Sequence, residues 1–246
     1  MKYLYIILIQ FICCYNSTAQ LYMHVRLLND TIQTFAITDI DSLYFNDFGG
    51  CPDSIMDSRD SQIYAVVRIN AQCWMAENLN YDVPGSAFID TLTSISGYGR
   101  LYDWETIMDG ALSSTSNPSG VKGICPDGWH IPSHSEWNQM EVELGMPEAD
   151  TSNTGWRGTH GTKLKSVTGW QNSGNGNNKS GMNVFPAGGF FSSNFIGATG
   201  NASFWTSTEF SPSSSWGRAI KHQYSGVGSY YYYFKTYGFS CRCVMD

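Results

Sequence analysis

Two groups of residues in this chain have types and spacings that suggest chemistry: tyrosines crowded into one late stretch, and cysteines near the end. Between Trp216 and Lys235 stand Trp216, Arg218, Lys221, His222 and Tyr224, then Tyr230, Tyr231, Tyr232 and Tyr233 in succession, around Gly226 and Gly228. A tyrosine ring gives a wide, rigid contact area with a polar tip, which suits a binding surface better than bond-making. On a regular strand Tyr230 and Tyr232 face one way and Tyr231 and Tyr233 the other, so one pair packs inward and the other meets solvent. The plainer reading is that these aromatics only cover a sheet.

Other constellations carry less. Cys241-Arg-Cys243 lacks a second Cys or His pair at zinc spacing. His130 and His134 are four apart, but Pro132 between them breaks the helix that would aim both at one ion, so they are read as structural. Asp53, Asp57 and Asp60 do not follow a calcium-loop spacing, so calcium has no motif here and no metal or cofactor is expected. Glu77 and Glu209 suggest a carboxylate pair, yet nothing in the sequence sets their separation. No Gly-x-Ser-x-Gly elbow presents a nucleophile. Catalytic residues are therefore not assigned.

Composition narrows the class. The 246 residues carry a formal charge of -7 without basic clusters, which argues against nucleic acid and anionic membrane surfaces as partners. Only 14% of residues are charged, against 15% aromatic and 25 glycines, a balance suited to a loop-rich extracellular β domain. Residues 1–19 read as a secretory leader: Lys2, an apolar run from Tyr3 to Cys14, and Ser17 and Ala19 at the cleavage site. Losing Lys2 takes the charge from -7 to -8. Acylation at Cys13 or Cys14 is the poorer alternative, because Ile12 or Cys13 stands where a small residue belongs. No later segment has the length of a transmembrane helix. Beyond the leader stand Cys51, Cys73, Cys125, Cys241 and Cys243, an odd set that in an oxidising compartment leaves one thiol over, with connectivity open.

The elements that must position these groups follow from patterning. Residues 20–50 form a β segment: Leu21, Met23, Val25 and Leu27 alternate with polar neighbours, and Asn29-Asp30 turns the chain into Thr31 to Ile37. From Gln62 a second hairpin places Ile63, Ala65, Val67 and Ile69 on one face, turns at Asn70-Ala71 and returns through Cys73 to Ala76. Leu101, Trp104, Ile107 and Met108 recur at helical spacing. Ser133 and Glu136 make a capping box for a second helix whose stripe is Trp137, Met140 and Leu144, with Glu141 and Glu143 facing water and Gly145 at its end. The Asn/Gly tract from 172 to 181 is surface loop. Short strands follow at 185–191, 204–208, 216–222, 229–235 and 238–244. Two early helices and late strands make an α+β domain over 51–246, with Trp104, Trp129, Trp137, Trp170 and Trp205 in its core.

Seven segments in order resemble a bacterial family, the Fibrobacter succinogenes major paralogous domain: Asp57-Ser-Arg-Asp-Ser-Gln-Ile-Tyr, Gln72-Cys-Trp-Met-Ala-Glu-Asn-Leu-Asn-Tyr, Gly99-Arg-Leu-Tyr-Asp-Trp, Cys125-Pro-Asp-Gly-Trp-His-Ile-Pro-Ser, Gly161-Thr-Lys-Leu-Lys-Ser, Phe204-Trp-Thr-Ser-Thr-Glu and Gly238-Phe-Ser-Cys-Arg-Cys-Val. The segment 21–47 looks like the short β element preceding such domains in Bacteroides-type surface proteins. The family in turn looks like a branch of the C-type lectin-like fold shared with formylglycine-generating enzymes, which implies two helices and short antiparallel strands. Neither activity transfers: the oxidase needs two reactive cysteines, whereas Cys241 and Cys243 sit on what resembles a terminal structural strand, and the calcium-and-sugar tripeptides of lectins are absent.

Cys125 and Cys243 occupy family positions, which implies their pairing, and Cys51 and Cys73 flank one hairpin. Cys241 departs from the family, where an aliphatic residue is usual, and stands two residues from Cys243, close enough to exchange roles with it. The resemblance also places Trp216 to Lys235 on ligand-facing strands. The expectation is an exported, non-enzymatic interaction protein binding a glycan or an extracellular protein through Trp216, Arg218, His222, Tyr224 and Tyr230 to Tyr233. An oxidase of the formylglycine-generating type and a structural envelope subunit are the alternatives.

Overall fold

The computed structural model describes residues 22–26, 32–36, 50–87, 98–192 and 194–246. The leader read at residues 1–19 lies outside them. Two compact units divide between Gly50 and Cys51. In the first, β1 (Tyr22–Arg26) and β2 (Ile32–Ala36) pair antiparallel with Met23 opposite Phe35, the hairpin that alternation around Asn29-Asp30 predicts.

The second unit begins with β3 (Ser54–Met56), β4 (Ile63–Ile69) and β5 (Gln72–Met75). Asn70 makes the β4–β5 turn at φ 53, a left-handed conformation that Asn adopts more readily than most residues. The strand does not bury its odd-numbered residues as a face: Tyr64 is buried and Ile63 is 66% exposed. The reason is that β4 spans two cores, with Tyr64 and Val66 in one and Val67 and Ile69 in the other. Next come β6 (Ser86–Ala87), β7 (Leu101–Tyr102), α1 (Trp104–Met108) and β8 (Trp129–His130). Asp103 caps α1 by accepting from the Thr106 amide at 2.7 Å.

The capping box read at Ser133 is present at the start of α2 (His134–Glu143). The Ser133 hydroxyl accepts from the Glu136 amide at 3.2 Å, and the Glu136 carboxylate accepts from the Ser133 amide at 2.9 Å. Trp137, Met140 and Leu144 pack inward with Phe204, Ile220 and Val227. Glu141 does not face water, as the helical pattern suggested, but is fully buried. It follows Trp137 by one turn and so shares its face.

The chain continues through β9 (Gly155–Arg157), a short helix α3 (Gly161–Leu164) that the pattern did not announce, β10 (Ala187–Phe191), β11 (Asn194–Ala198), β12 (Asn201–Ser211), β13 (Ser214–Lys221), β14 (Val227–Phe234) and β15 (Val244–Met245). One sheet runs β11-β10-β12-β13-β14-β9 and another β3-β4-β5-β15-β8. The pairings are antiparallel except where Gly188 meets Ala202 in parallel. Residues 238–244, expected as a strand, instead make isolated bridges to Phe190, Tyr102 and Phe204 before β15.

The unit is thus mostly β with a few helices, broadly α+β. The tryptophans 104, 129, 137, 170 and 205 are all buried. Among the described residues no helix is long and apolar enough to cross a membrane. Cys51 is bonded to Cys73 and Cys125 to Cys243, and Cys241 is unpaired and buried beside the second bond.

Candidate functional site

The tyrosine run lies on β14, but not as simple alternation places it. Ser215 pairs with Tyr233 and Gly217 with Tyr230, so two steps on β13 meet three on β14. This bulge inserts one residue and re-aims the side chains after it. Tyr230 and Tyr233 therefore share a face, their rings 5.7 Å apart, while Tyr231 crosses to the opposite face beside Trp216. Tyr232 stands at the bulge, 56% exposed, and touches Tyr230 at 5.3 Å and Tyr231 at 5.7 Å.

Tyr233 is half-buried and packs against the core. Its ring packs on Trp205 and Phe239, a Cβ on Gly217 would come within 2.9 Å of it, and burial raises its phenol pKa. The three remaining tyrosines join two aromatic clusters. In one, Trp156 of β9 stacks on Tyr224 at 4.1 Å and meets the edge of Tyr230 at 6.2 Å, with the Lys221 ammonium 5.9 Å from the Trp156 ring. Gly228 is the floor between them: a Cβ there would sit 2.6 Å from Tyr230 and 3.3 Å from Trp156. Burial raises the Tyr230 phenol, and Tyr232 and Tyr224 add to the rise. In the other cluster, Phe210, 54% exposed, lies 4.3 Å from Tyr231 and Trp216 lies 5.4 Å from Tyr231.

The turn from β13 into β14 is fixed from behind. The Lys165 ammonium donates to the carbonyls of Tyr224 at 2.8 Å and His222 at 3.3 Å. Burial lowers this lysine to about 8. Gly226 packs backbone on backbone, since a Cβ there would come within 2.3 Å of the Arg157 carbonyl. Tyr224, 37% exposed, is thereby held against Trp156. His222 is half-buried and packs against Gly174 and Gly200 rather than the tyrosines.

Arg218 is not on this surface. It is wholly buried, and its Nε donates to Glu141 at 2.5 Å while Nη2 donates to Asn138 at 2.9 Å. Arg157 reaches the other Glu141 oxygen at 2.6 Å, and His160 Nε2 lies 3.3 Å from that oxygen, poorly aligned for a hydrogen bond. Burial alone would raise the Glu141 carboxyl, but Arg218, His160 and Arg157 outweigh it and hold the pKa down at about 2. His134, in ring contact with Trp216 at 4.1 Å, faces Arg218 across 3.1 Å and is lowered by burial, then by Arg218 and Arg157, to about 3. It is neutral and accepts a hydrogen bond from Arg218 Nη1 through Nδ1, so this network braces Trp216 on the Tyr231 face of the sheet. His130 is placed apart, between Glu136 and Asp246 at 2.7 Å each.

Nothing local in the sequence marks Trp156 or Phe210. Trp156 enters the surface through the pairing of β9 with β14, and Phe210 through that of β12 with β13, neither of which local pattern reveals. The acidic candidates also resolve individually: Asp57 is buried on Arg59 at 2.6 Å, Glu209 holds Lys235 at 2.6 Å, and Glu77 accepts from the Ala65 amide at 3.0 Å. A cleft of about 560 Å³ lies among Arg59, Tyr81, Glu105, Asp109 and Lys122. Its cations are already paired, Arg59 with Asp57 and Lys122 with Asp127.

Fold and surface together define a disulfide-braced α+β domain whose longest strands display two aromatic clusters. The chain belongs to the Fibrobacter succinogenes major domain family, whose model matches residues 67–245. No curated protein and no solved structure matches the chain.

Proposed function

We propose that this chain is an exported, non-enzymatic binding module on a C-type lectin-like plan, which takes a glycan on the aromatic surface of β9, β13 and β14. The observation that carries this reading is the Trp156–Tyr224–Tyr230 cluster beside the exposed Tyr232. Sugar rings present flat C–H faces that stack on aromatic rings, and phenol hydroxyls hydrogen-bond the sugar rim. Rings held in place by Gly228, Gly226 and Lys165 lose little entropy on binding. The disulfides suit an oxidising compartment and support export. The formylglycine-generating alternative requires an accessible cysteine pair, and Cys125–Cys243 is closed while Cys241 is 1% exposed.

A glycan and extracellular-matrix array probed with the wild type, a Tyr224→Ala/Tyr232→Ala variant and a Trp156→Ala variant tests the proposal. Both tyrosines are exposed, so their loss leaves the fold intact. Contact aromatics at a binding centre contribute about 1–3 kcal/mol each, so the double variant is expected to lose at least roughly 10-fold in affinity. Unchanged glycan binding in both variants would remove the site. Binding of matrix proteins alone, lost in the same variants, would keep the surface and overturn the glycan.

A further inference from the structure

We propose that Cys241 is a resident exchange partner for Cys125, so that the chain has two disulfide isomers, Cys125–Cys243 and Cys125–Cys241. The Sγ atoms of Cys125, Cys241 and Cys243 lie within 4.8 Å of one another in one buried pocket. Cys241 and Cys243 are held on an extended segment, the Leu79 amide donating to the Cys241 carbonyl at 2.9 Å and the Met75 amide to the Cys243 carbonyl at 3.0 Å. Residues two apart on such a segment share a side, and both sulfurs therefore face Cys125. Arg242 between them turns away, donating to Asn78 Oδ1 at 2.8 Å and to the carbonyls of Met75 and Met182.

The step balances internally. The Cys241 thiolate attacks Sγ of Cys125, the Cys125–Cys241 bond forms as Cys125–Cys243 breaks, and the electron pair leaves on Cys243, which takes up the proton that Cys241 gave up. No external oxidant or reductant is consumed. Burial pushes the Cys241 thiol up to about 12. At pH 8 only about one thiol in ten thousand is then ionised, against roughly a quarter for a solvated thiol, so exchange in the closed fold is slow.

Exchange follows opening of the C-terminal end. That end is latched by Val244 pairing with Trp74 and His130, by the Asp246 carboxylate on His130 Nδ1 at 2.7 Å, and by the Asp246 amide on the Gly128 carbonyl at 3.0 Å. In the second isomer the covalent tether moves to residue 241, and residues 243–246 keep only these non-covalent contacts. The exchange thus acts on β15, which joins β5 to β8.

Trypsin separates the partners cleanly, because cleavage after Lys122, Arg157, Lys235 and Arg242 places Cys125, Cys241 and Cys243 on different peptides. In oxidised full-length Cys243→Ser protein, peptide 123–157 is expected cross-linked to peptide 236–242. Recovery of Cys125 and Cys241 both alkylated from folded variant would overturn the proposal. The wild type gives a test independent of that variant's folding. Incubated at pH 8.5 in sub-denaturing urea without added thiol, then acid-quenched and alkylated, it is expected to accumulate the same cross-link at a rate independent of protein concentration. Persistence of the Cys125–Cys243 link alone through that incubation would overturn it.

Discussion

Replacing Glu141 with glutamine is expected to destabilise the Cys51–Asp246 unit by about 3–5 kcal/mol, the cost of leaving buried guanidinium groups without their counter-charge. At this size that corresponds to a fall in Tm of roughly 6–20 °C, measured by thermal or urea unfolding with both folded baselines checked by circular dichroism. The expectation rests on the wholly buried contacts of Glu141 with Arg218 at 2.5 Å and Arg157 at 2.6 Å. Glutamine keeps the size and one acceptor but not the charge, so the effect isolates electrostatics from packing. The pH dependence gives a second readout. The folded Glu141 pKa, about 2, lies below its ordinary value of 4.5. Its contribution is thus fully present above about pH 4.5 and is lost as pH falls toward 2. The variant should take up about one proton fewer on acid unfolding across that window. An unchanged Tm with an unchanged acid limb would show that the network does not hold α2 to β13 and β9.

Cys125→Ser is the second large effect. The Cys125–Cys243 bond closes a sequence separation of 118 residues, against 22 for Cys51–Cys73. The chain-entropy relation gives about 5 kcal/mol for the longer loop and about 3 kcal/mol for the shorter. Removing Cys125 deletes the shared partner of both isomers and should lose the full effect. Cys243→Ser should lose markedly less, because Cys241 stands ready to close nearly the same loop. Chemical denaturation of the two variants side by side reads this difference directly. Equal losses, with Cys241 alkylatable in the folded Cys243→Ser protein, would contradict the exchange.

What was legible in the sequence was local. The Ser133/Glu136 box and the Asn70 turn depend on residues three apart, and the N-terminal hairpin pairs residues no further apart than Tyr22 and Ala36, so those interactions form wherever the rest of the chain goes. Only part of the buried stripe of α2 is legible in this way. Glu141 has the charge of a solvent-facing residue, and its burial depends on Arg157 and Arg218, which lie 16 and 77 residues further on. The tyrosine run shows the same limit. Period two places Tyr231 with Tyr233, whereas one bulge against Ser215 and Gly217 joins Tyr233 to Tyr230 and turns it half-buried against the core. Arg218 read as a surface cation for want of a visible partner. Trp156 carries no local signal, because its contribution exists only once β9 lies beside β14. Side-chain type marked the right stretch, and pairing register decided which of its rings reach solvent.

The most direct measurement is an indole N–H titration by two-dimensional NMR, with soluble β-glucan, xylan and mannan oligosaccharides added in turn. Saturable shifts of Trp156, with Trp216 on the opposite face of the sheet and the core signals of Trp137 and Trp205 unmoved, are the result expected of a glycan held on the Trp156–Tyr224–Tyr230 cluster. Saturable binding that leaves Trp156 unshifted, or no shift with any of the three sugars at millimolar concentration, would contradict it.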